Sequence, residues 1–383
     1  MSSKGLFKKK TKAPTAGVSN VQQGSNVVRA LGLRKCVEPQ DATRLIDVVF
    51  VHGLTGDRER TWTDPSSSCF WPQELLPSDL PNARIFTYGY DADVAHFFSA
   101  ASQSRIKDHA NTLLGSLAHV RERSETVGWG SISICSLRLT TVLQSKRPLF
   151  FVAHSLGGLV VEDMLLSSKN SAEDHLRNLL ESTEGICFMG TPHCGSQLAD
   201  WGKVITSVAK LVKKVNQPII TVLQSESEVL ARIQQEFHTM IRARNDAGEH
   251  KLRITCFFED LDTPGVGTVV PKHSAILSAY NSISIPRDHA GMTKFQDAND
   301  IGYQRVSSEL WIWARDLNKR LEASLPTATV GHAAVGSPTL AQHPRLLLED
   351  GREVPTNFYH GSMENVGQVF QGSNIGTYNS YSD

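Results

Sequence analysis

The chain has 383 residues, and its 39 lysines and arginines balance 39 aspartates and glutamates. This length permits one large core or two to three domains, and zero net charge gives no general attraction to nucleic acid or anionic membranes. No apolar run of about 18 residues predicts a transmembrane helix, and the N-terminus lacks the apolar segment of a secretory signal. The six cysteines form no CxxC pair, which favours buried thiols in a reducing cytoplasmic compartment over disulfides or a metal site.

Residues 1–43 are polar, show little periodicity and include the basic run KGLFKKKTK at 4–12. We predict a disordered, solvated segment here, because a stretch with so few apolar residues cannot bury a core. A weak role in targeting or in binding a membrane surface is the alternative.

From residue 44 onward, short apolar runs alternate with longer stretches of helical spacing. The apolar runs are RLIDVVFVHG, ARIFTYGYD, PLFFVAHS, GICFMGTPH and LRITCFFED. Their continuous hydrophobicity predicts strands buried on both faces of a mainly parallel sheet. The strand–helix alternation predicts an α/β domain over 44–322, with helices covering both faces of the sheet.

Three segments depart from this rhythm. Residues 198–247 predict two or three helices without a strand, which either pack onto the sheet or form a cap over an active site. Residues 127–146 are neither loop-like nor periodic, and we expect this atypical insertion to be poorly ordered. Residues 323–383 predict a linker and a low-complexity tail rich in Gly, Asn, Ser and Gln, which is disordered alone but prone to β-stacking.

The stretch FFVAHSLGGLVVEDML predicts a strand, a tight turn and a helix, with Ser155 on the turn. A serine hydroxyl is a weak nucleophile that needs a base, an acid that orients the base, and donors for the oxyanion. The α/β-hydrolase fold supplies these groups in the chain order Ser, acid, His, around a G-x-S-x-G turn. Ala153 stands in place of the first glycine and Gly157 keeps the second. His154 is the variable residue of the pattern, and we expect no triad role for it.

The base and the acid are predicted from their places after later strands. His289, in SISIPRDHAGMTKF, follows the last apolar run and is the predicted base, whereas His273 precedes that run and is the weaker candidate. The run LRITCFFED ends in Glu259 and Asp260, with Asp262 close behind. Neighbouring residues of a strand point to opposite faces, so only one of the first two reaches the histidine. We predict Glu259, with Asp260 as the second choice.

The oxyanion donors are predicted from the turns that follow two strands. The backbone N–H of Leu156 is the first donor, and the turn after VFVHGL supplies the second, at Gly53 or Leu54. No metal or other cofactor is predicted, because no His/Cys cluster has ligand spacing.

Several motifs resemble a known family. VVFVHGLTGDRERTW, RPLFFVAHSLGGLVVEDML, GICFMGTPHCGSQLADW and IPRDHAGMTKF are similar to the α/β-hydrolases grouped with the serine-active-site-containing protein, and to lipase-like hydrolases at the N-termini of fungal NLR-type receptors. The resemblance covers roughly 44–297. It implies an esterase- or lipase-like activity with Ser155 and His289 in the triad. Family members commonly carry F-Y-E where this chain has FFE, which implies Glu259 as the acid. The tail is similar to segments that precede NTPase domains, which implies an NLR-type receptor or NTPase partner.

We therefore expect a serine hydrolase that cleaves carboxylic esters, lipid esters above all, and that acts as the effector domain of an NLR-type system. Two alternatives stay open. The chain is a catalytically weak or inactive hydrolase-fold signalling module recruited through its tail, or a lipid-remodelling protein peripheral to mitochondrial or endoplasmic-reticulum membranes. No P-loop motif is present, which leaves either a stand-alone effector or part of a larger receptor.

Overall fold

The fold is described from a computed structural model of the chain. The described residues are 1, 30–39, 45–92, 105–126, 147–194, 198–211, 217–247 and 251–323. The basic run at 4–12, the atypical insertion at 127–146 and residues 324–383 of the predicted tail lie outside them.

A seven-stranded sheet forms the centre of the described residues. Its order is β1-β3-β2-β4-β5-β6-β7; β1 runs antiparallel to β3 and the other neighbours are parallel. Every residue of β2, β3 and β4 is buried, as the continuous apolar runs predict. The strands are β1 Gly32–Val37, β2 Ile46–Val51, β3 Ala83–Gly89, β4 Leu149–His154, β5 Thr183–Met189, β6 Arg253–Glu259 and β7 Asn281–Ile285.

Strand β1 corrects the prediction that residues 1–43 are disordered, which is wrong for Gly32–Val37. Among the described strands it lies at the sheet edge and pairs with β3 alone, for example Leu33 with Tyr88. Its residues are partly buried or exposed, so the segment carries no continuous apolar run. Backbone hydrogen bonds to β3 stabilise the strand. Because backbone groups do not depend on residue type, the amino-acid composition of the segment does not reveal this pairing.

Helices cover both faces of the sheet, as the strand–helix alternation predicts. Successive side chains of a buried strand enter different cores: Val49 and Phe151 pack in one apolar cluster, whereas Val48 and Phe150 pack in the other. The first cluster contains residues of α3, α4, α6 and α7, and the second contains residues of α1, α2 and α9. The helices are α1 Trp71–Glu74, α2 Leu76–Asp79, α3 Arg105–Thr126, α4 Gly157–Lys169, α5 Asp174–Ser182, α6 Leu198–Lys210, α7 Gln217–Asp246, α8 Lys272–Ala275 and α9 Ile301–Ala323.

The helical stretch at 198–247 forms α6 and α7. Trp201, Val204, Ile205 and Val208 of α6 are buried in the same cluster as the apolar residues of α4. Helix α6 contacts α7, and α7 contacts α4, so this part of the chain joins the helical layer on that face. None of the described helices combines the length and apolar character that a membrane crossing requires.

A buried ionic cluster lies near the beginning of β2. The Asp47 carboxylate accepts hydrogen bonds from Arg84 Nε (2.7 Å), Arg84 Nη2 (2.9 Å) and Arg121 Nη1 (2.7 Å), and Arg147 Nη1 lies 3.7 Å away. Burial alone would raise the pKa of Asp47, but the Arg84 hydrogen bonds and the three guanidinium charges outweigh burial and lower it. The cluster joins β2, β3, α3 and the entry to β4 at the edge opposite the strand ends that carry the candidate site.

Candidate active site

Ser155 lies on a strained turn between β4 and α4. Its φ is 52°, a left-handed conformation that non-glycine residues rarely adopt and that marks functional turns. The residue is 2% exposed, and its N–H donates to the carbonyl oxygen of Met189, at the end of β5 (2.9 Å). A Cβ atom added to Gly157 would lie 2.3 Å from the carbonyl oxygen of His52, so the first turn of α4 is seated against the end of β2.

His289 and Glu259 are brought together although 30 residues separate them in the sequence. His289 Nδ1 lies 3.2 Å from Glu259 Oε2, and both side chains are almost fully buried. The other carboxylate oxygen, Oε1, accepts a hydrogen bond from the N–H of Val270 (2.7 Å). Glu259 is thereby held by backbone on one side and faces the imidazole on the other.

The competing candidates lie elsewhere. The side chain of Asp260 is exposed, while its N–H bonds to the carbonyls of Ile285 and Arg287. Asp262 accepts a hydrogen bond from the Thr268 hydroxyl (2.6 Å). His273 is exposed on α8. The structure therefore brings Glu259, and neither Asp260 nor Asp262, to His289. His273, the weaker candidate for the base, lies on the surface.

Ser155 and His289 meet at a cavity of about 210 Å³ at the carboxyl ends of the strands. Ser155 Oγ and His289 Nε2 are buried and have no hydrogen-bond partner among the described residues. Buried polar atoms normally find partners, so two such atoms in one cavity mark a place where a ligand's polar group can bind. The cavity is lined by Leu54, Thr55, Gly56, Asp57, Arg60, Thr61, His154, Ser155, Val208, Leu211, His289, Ala290, Thr293 and Lys294.

The cavity lining combines apolar and charged residues. Val208 near the end of α6, Leu211 just after it and Leu54 after β2 contribute apolar side chains. Arg60 and Lys294 contribute cations to the lining. Helix α6 thus buries its apolar face in the core, and Val208 near its C-terminal end also lines the cavity. A cap over the site stays a prediction.

The turn after β2 lies directly beside Ser155. A Cβ atom on Gly53 would lie 2.7 Å from Ser155 Cβ. His52 Nε2 accepts from the N–H of Tyr90 (3.3 Å), so Nδ1 carries the proton and donates to the carbonyl of Gly53 (2.8 Å). Because a trans peptide points C=O and N–H in opposite directions, this bond turns the N–H of Leu54 away from His52.

The other predicted donor, the N–H of Leu156, precedes the first residue of α4. The N–H groups at the start of a helix have no intrahelical partner and carry the positive end of the helix dipole. Leu156 follows Ser155 in the chain and the Gly53 backbone lies beside it, so both predicted donor positions are next to the serine, while their oxyanion role stays a prediction.

Two further residues around the site, Tyr90 and His154, were not assigned to it from the sequence. Tyr90 stacks on His52 with ring centroids 4.4 Å apart, and its hydroxyl donates to the His52 carbonyl (2.8 Å). His154 lies beside His289, with ring centroids 4.8 Å apart. The sequence signal for Tyr90 was its position immediately after β3. His154 stands beside Ser155 in the sequence, but it was interpreted as the variable residue of the turn pattern. Within the described residues, no group of three or more His, Cys, Asp or Glu side chains could hold a metal ion.

The strand order, the covering helices and the strained Ser155 turn define the α/β-hydrolase fold. Solved structures that are similar to the chain include two lipolytic proteins. They are a lipase-esterase related protein from Clostridium acetobutylicum (8% identity, 74% of this chain and 99% of that chain, TM-score 0.35) and a soluble variant of monoglyceride lipase from Saccharomyces cerevisiae (11% identity, 74% and 90%, TM-score 0.37). TM-scores this low carry no functional argument.

In sequence, the chain is similar to Protein SERAC1. It is 28% identical to the Danio rerio protein over 283 residues and 27% identical to the Homo sapiens protein over 282, in each case 68% of this chain and 38% of the relative. The chain therefore spans less than two fifths of the length of these relatives. No protein-family model matches it. The chain is SERAC-like in sequence and has the α/β-hydrolase fold.

Proposed function

We propose that the chain is a serine hydrolase that cleaves carboxylic esters, and that its substrates are lipid esters. One observation carries the proposal. A buried serine at φ 52° shares a cavity with a buried histidine, and the far nitrogen of that histidine lies 3.2 Å from a carboxylate. A base beside a serine and a carboxylate that orients the base are the groups that activate a serine hydroxyl, which supports the proposal.

In the proposed mechanism, Ser155 Oγ attacks the ester carbonyl carbon and its proton passes to His289 Nε2. Glu259 orients the imidazole and stabilises the imidazolium that forms. The N–H groups of Leu156 and of the Gly53–Leu54 turn bind the oxyanion. His289 then protonates the leaving alkoxide. Water hydrolyses the acyl-enzyme by the same steps, which regenerates Ser155 and releases the carboxylic acid.

Lipid esters are proposed because the cavity lining contains both apolar and cationic side chains. The apolar residues Leu54, Val208 and Leu211 suit an acyl chain, whereas Arg60 and Lys294 suit the polar part of the ester. Recruitment by an NLR-type receptor or NTPase and peripheral membrane association were predicted from 4–12 and from the tail. Those segments lie outside the described residues, so both stay predictions.

Labelling of the full chain with a fluorophosphonate probe tests the proposal. We expect the wild type to be labelled, and Ser155→Ala and His289→Ala to remain unlabelled at comparable melting temperatures. An unlabelled but folded wild type would contradict the hydrolase proposal and would favour the inactive signalling module. Labelled protein would then be assayed with esters of increasing acyl length, where a preference for short, water-soluble acyl groups would contradict the lipid substrate.

A further inference from the structure

His154 joins two parts of the candidate site. It is the last residue of β4, immediately precedes Ser155, and is 8% exposed. Its Nε2 lies 2.9 Å from the backbone carbonyl oxygen of His289, across 135 residues of sequence. The two imidazole rings lie side by side, with centroids 4.8 Å apart and planes tilted by 40°.

The partner of His154 determines where its proton lies. A carbonyl oxygen only accepts hydrogen bonds, so Nε2 carries the proton and Nδ1 is the unprotonated nitrogen of a neutral ring. A Cβ atom on Gly53 would lie 3.2 Å from this Nδ1. The ring therefore contacts the nucleophile turn, the loop that carries His289, and the turn proposed to hold the oxyanion.

The surroundings favour the neutral form of this ring. Burial lowers the pKa of His154 well below its ordinary value, and the charges of His289, Lys294 and His52 act in the same direction. Together they outweigh the hydrogen bond to the His289 carbonyl, which raises the pKa. A neutral neighbour adds no positive charge beside His289 at the moment when His289 accepts the proton of Ser155.

We propose that His154 is a positioning residue, which ties the loop of the general base to the nucleophile turn through the bond from Nε2–H to the carbonyl of His289. The inference rests on the proposed hydrolase function. Since Ser155 and His154 are adjacent in the chain, any motion of the nucleophile turn carries the donor with it. The bond therefore holds the nucleophile turn close to the loop of the base. A histidine bonded to any other part of the molecule would not have this effect.

Two substitutions in the full chain separate positioning from simple packing. His154→Gln keeps an N–H donor near the position of Nε2, whereas His154→Phe keeps a ring of similar size and loses the donor. We expect His154→Phe to lower the fluorophosphonate labelling rate and kcat roughly 10- to 100-fold, because small misplacements of reacting groups have effects of this size. KM should be unchanged, and His154→Gln should restore labelling to within about threefold of wild type.

A spectroscopic measurement on the wild type covers the case in which His154→Phe does not fold. In nitrogen-correlated NMR of histidine-labelled protein, the signals absent from His154→Gln belong to His154. We expect the neutral tautomer protonated at Nε2, without titration near the ordinary histidine pKa of about 6.5. A ring protonated at Nδ1, or one that titrates there, would overturn the inference.

The outcomes also distinguish this inference from the function on which it rests. If wild type and a folded His154→Phe are labelled equally fast, the positioning role is refuted and the hydrolase stands. Equal losses in His154→Phe and His154→Gln would refute it as well, since packing alone would then explain the effect. If wild type is not labelled, the hydrolase proposal fails, and the positioning role fails with it.

Discussion

Gly157→Ala tests how tightly the nucleophile turn is seated. The added Cβ would lie 2.3 Å from the carbonyl oxygen of His52 and 2.7 Å from that of Val51. Both atoms belong to the backbone and cannot rotate away. Ordinary contact begins at 3.4 Å, so the start of α4 and the end of β2 must separate by about 1 Å, since 3.4 − 2.3 is 1.1.

The separation acts on both parts of the proposed machinery. Ser155 and Leu156 move with α4, whereas the Gly53–Leu54 turn moves with β2, so the donor in that turn loses its alignment with the nucleophile. A misplacement of this size costs roughly 100-fold in rate, and overpacking destabilises the fold by about 1–3 kcal/mol. We therefore expect labelling and ester hydrolysis to fall about 100-fold in a protein that still folds.

The assay is the fluorophosphonate labelling rate beside a thermal melt, with Gly115→Ala as the matched control. Gly115 lies within α3, and a Cβ there would meet no atom within 4 Å. The control should keep the wild-type rate and gain about 0.5–1 kcal/mol of stability from helix propensity. A folded Gly157→Ala protein labelled within about threefold of wild type would refute the argument that the turn is rigidly seated.

Three further predictions follow from particular contacts. Glu259→Gln should lower kcat on the order of 10³- to 10⁴-fold by losing the charge beside the base, whereas Asp260→Asn, exposed in the structure, should keep wild-type kinetics; equal losses would reverse the assignment of the acid. Asp47→Asn should destabilise the fold by about 3–5 kcal/mol in urea unfolding, because it leaves three buried guanidinium groups without their shared carboxylate; a loss below about 1 kcal/mol would contradict this. The pKa of Asp47 is lowered on folding. Its contribution to the free energy of unfolding is therefore present above the unfolded pKa of about 3.9 and is lost as the pH falls through the lower folded pKa. On acidification from pH 5, wild type should thus lose more stability than Asp47→Asn. Val208→Trp should lower kcat/KM for long-chain esters at least 10-fold more than for acetyl esters, since Val208 is one of the apolar residues that line the cavity; a uniform loss would place the acyl chain elsewhere.

Local patterns in the sequence were sufficient to predict the fold class. Strands buried on both faces carry continuous apolar runs, and those runs alternate with helical spacing, which the doubly covered parallel sheet confirms. The edge strand Gly32–Val37 was not predicted, because its partly exposed residues form no continuous apolar run and its pairing with β3 involves backbone groups.

The candidate site divides in the same way. The sequence by itself determined that Ser155 and His289 follow strands. Strand alternation predicted that only one of Glu259 and Asp260 reaches His289, and the 3.2 Å contact of Glu259 with His289 agrees with that prediction. The catalytic roles stay proposals. Tertiary structure alone decided the contact of His154 with the His289 carbonyl and the place of α6 in the cavity wall. These contacts join segments that are far apart in the chain. A strand or helix pattern shows only which face of its own element a residue occupies. Which side chain from another element lies against that face is decided when the sheet and its covering helices pack.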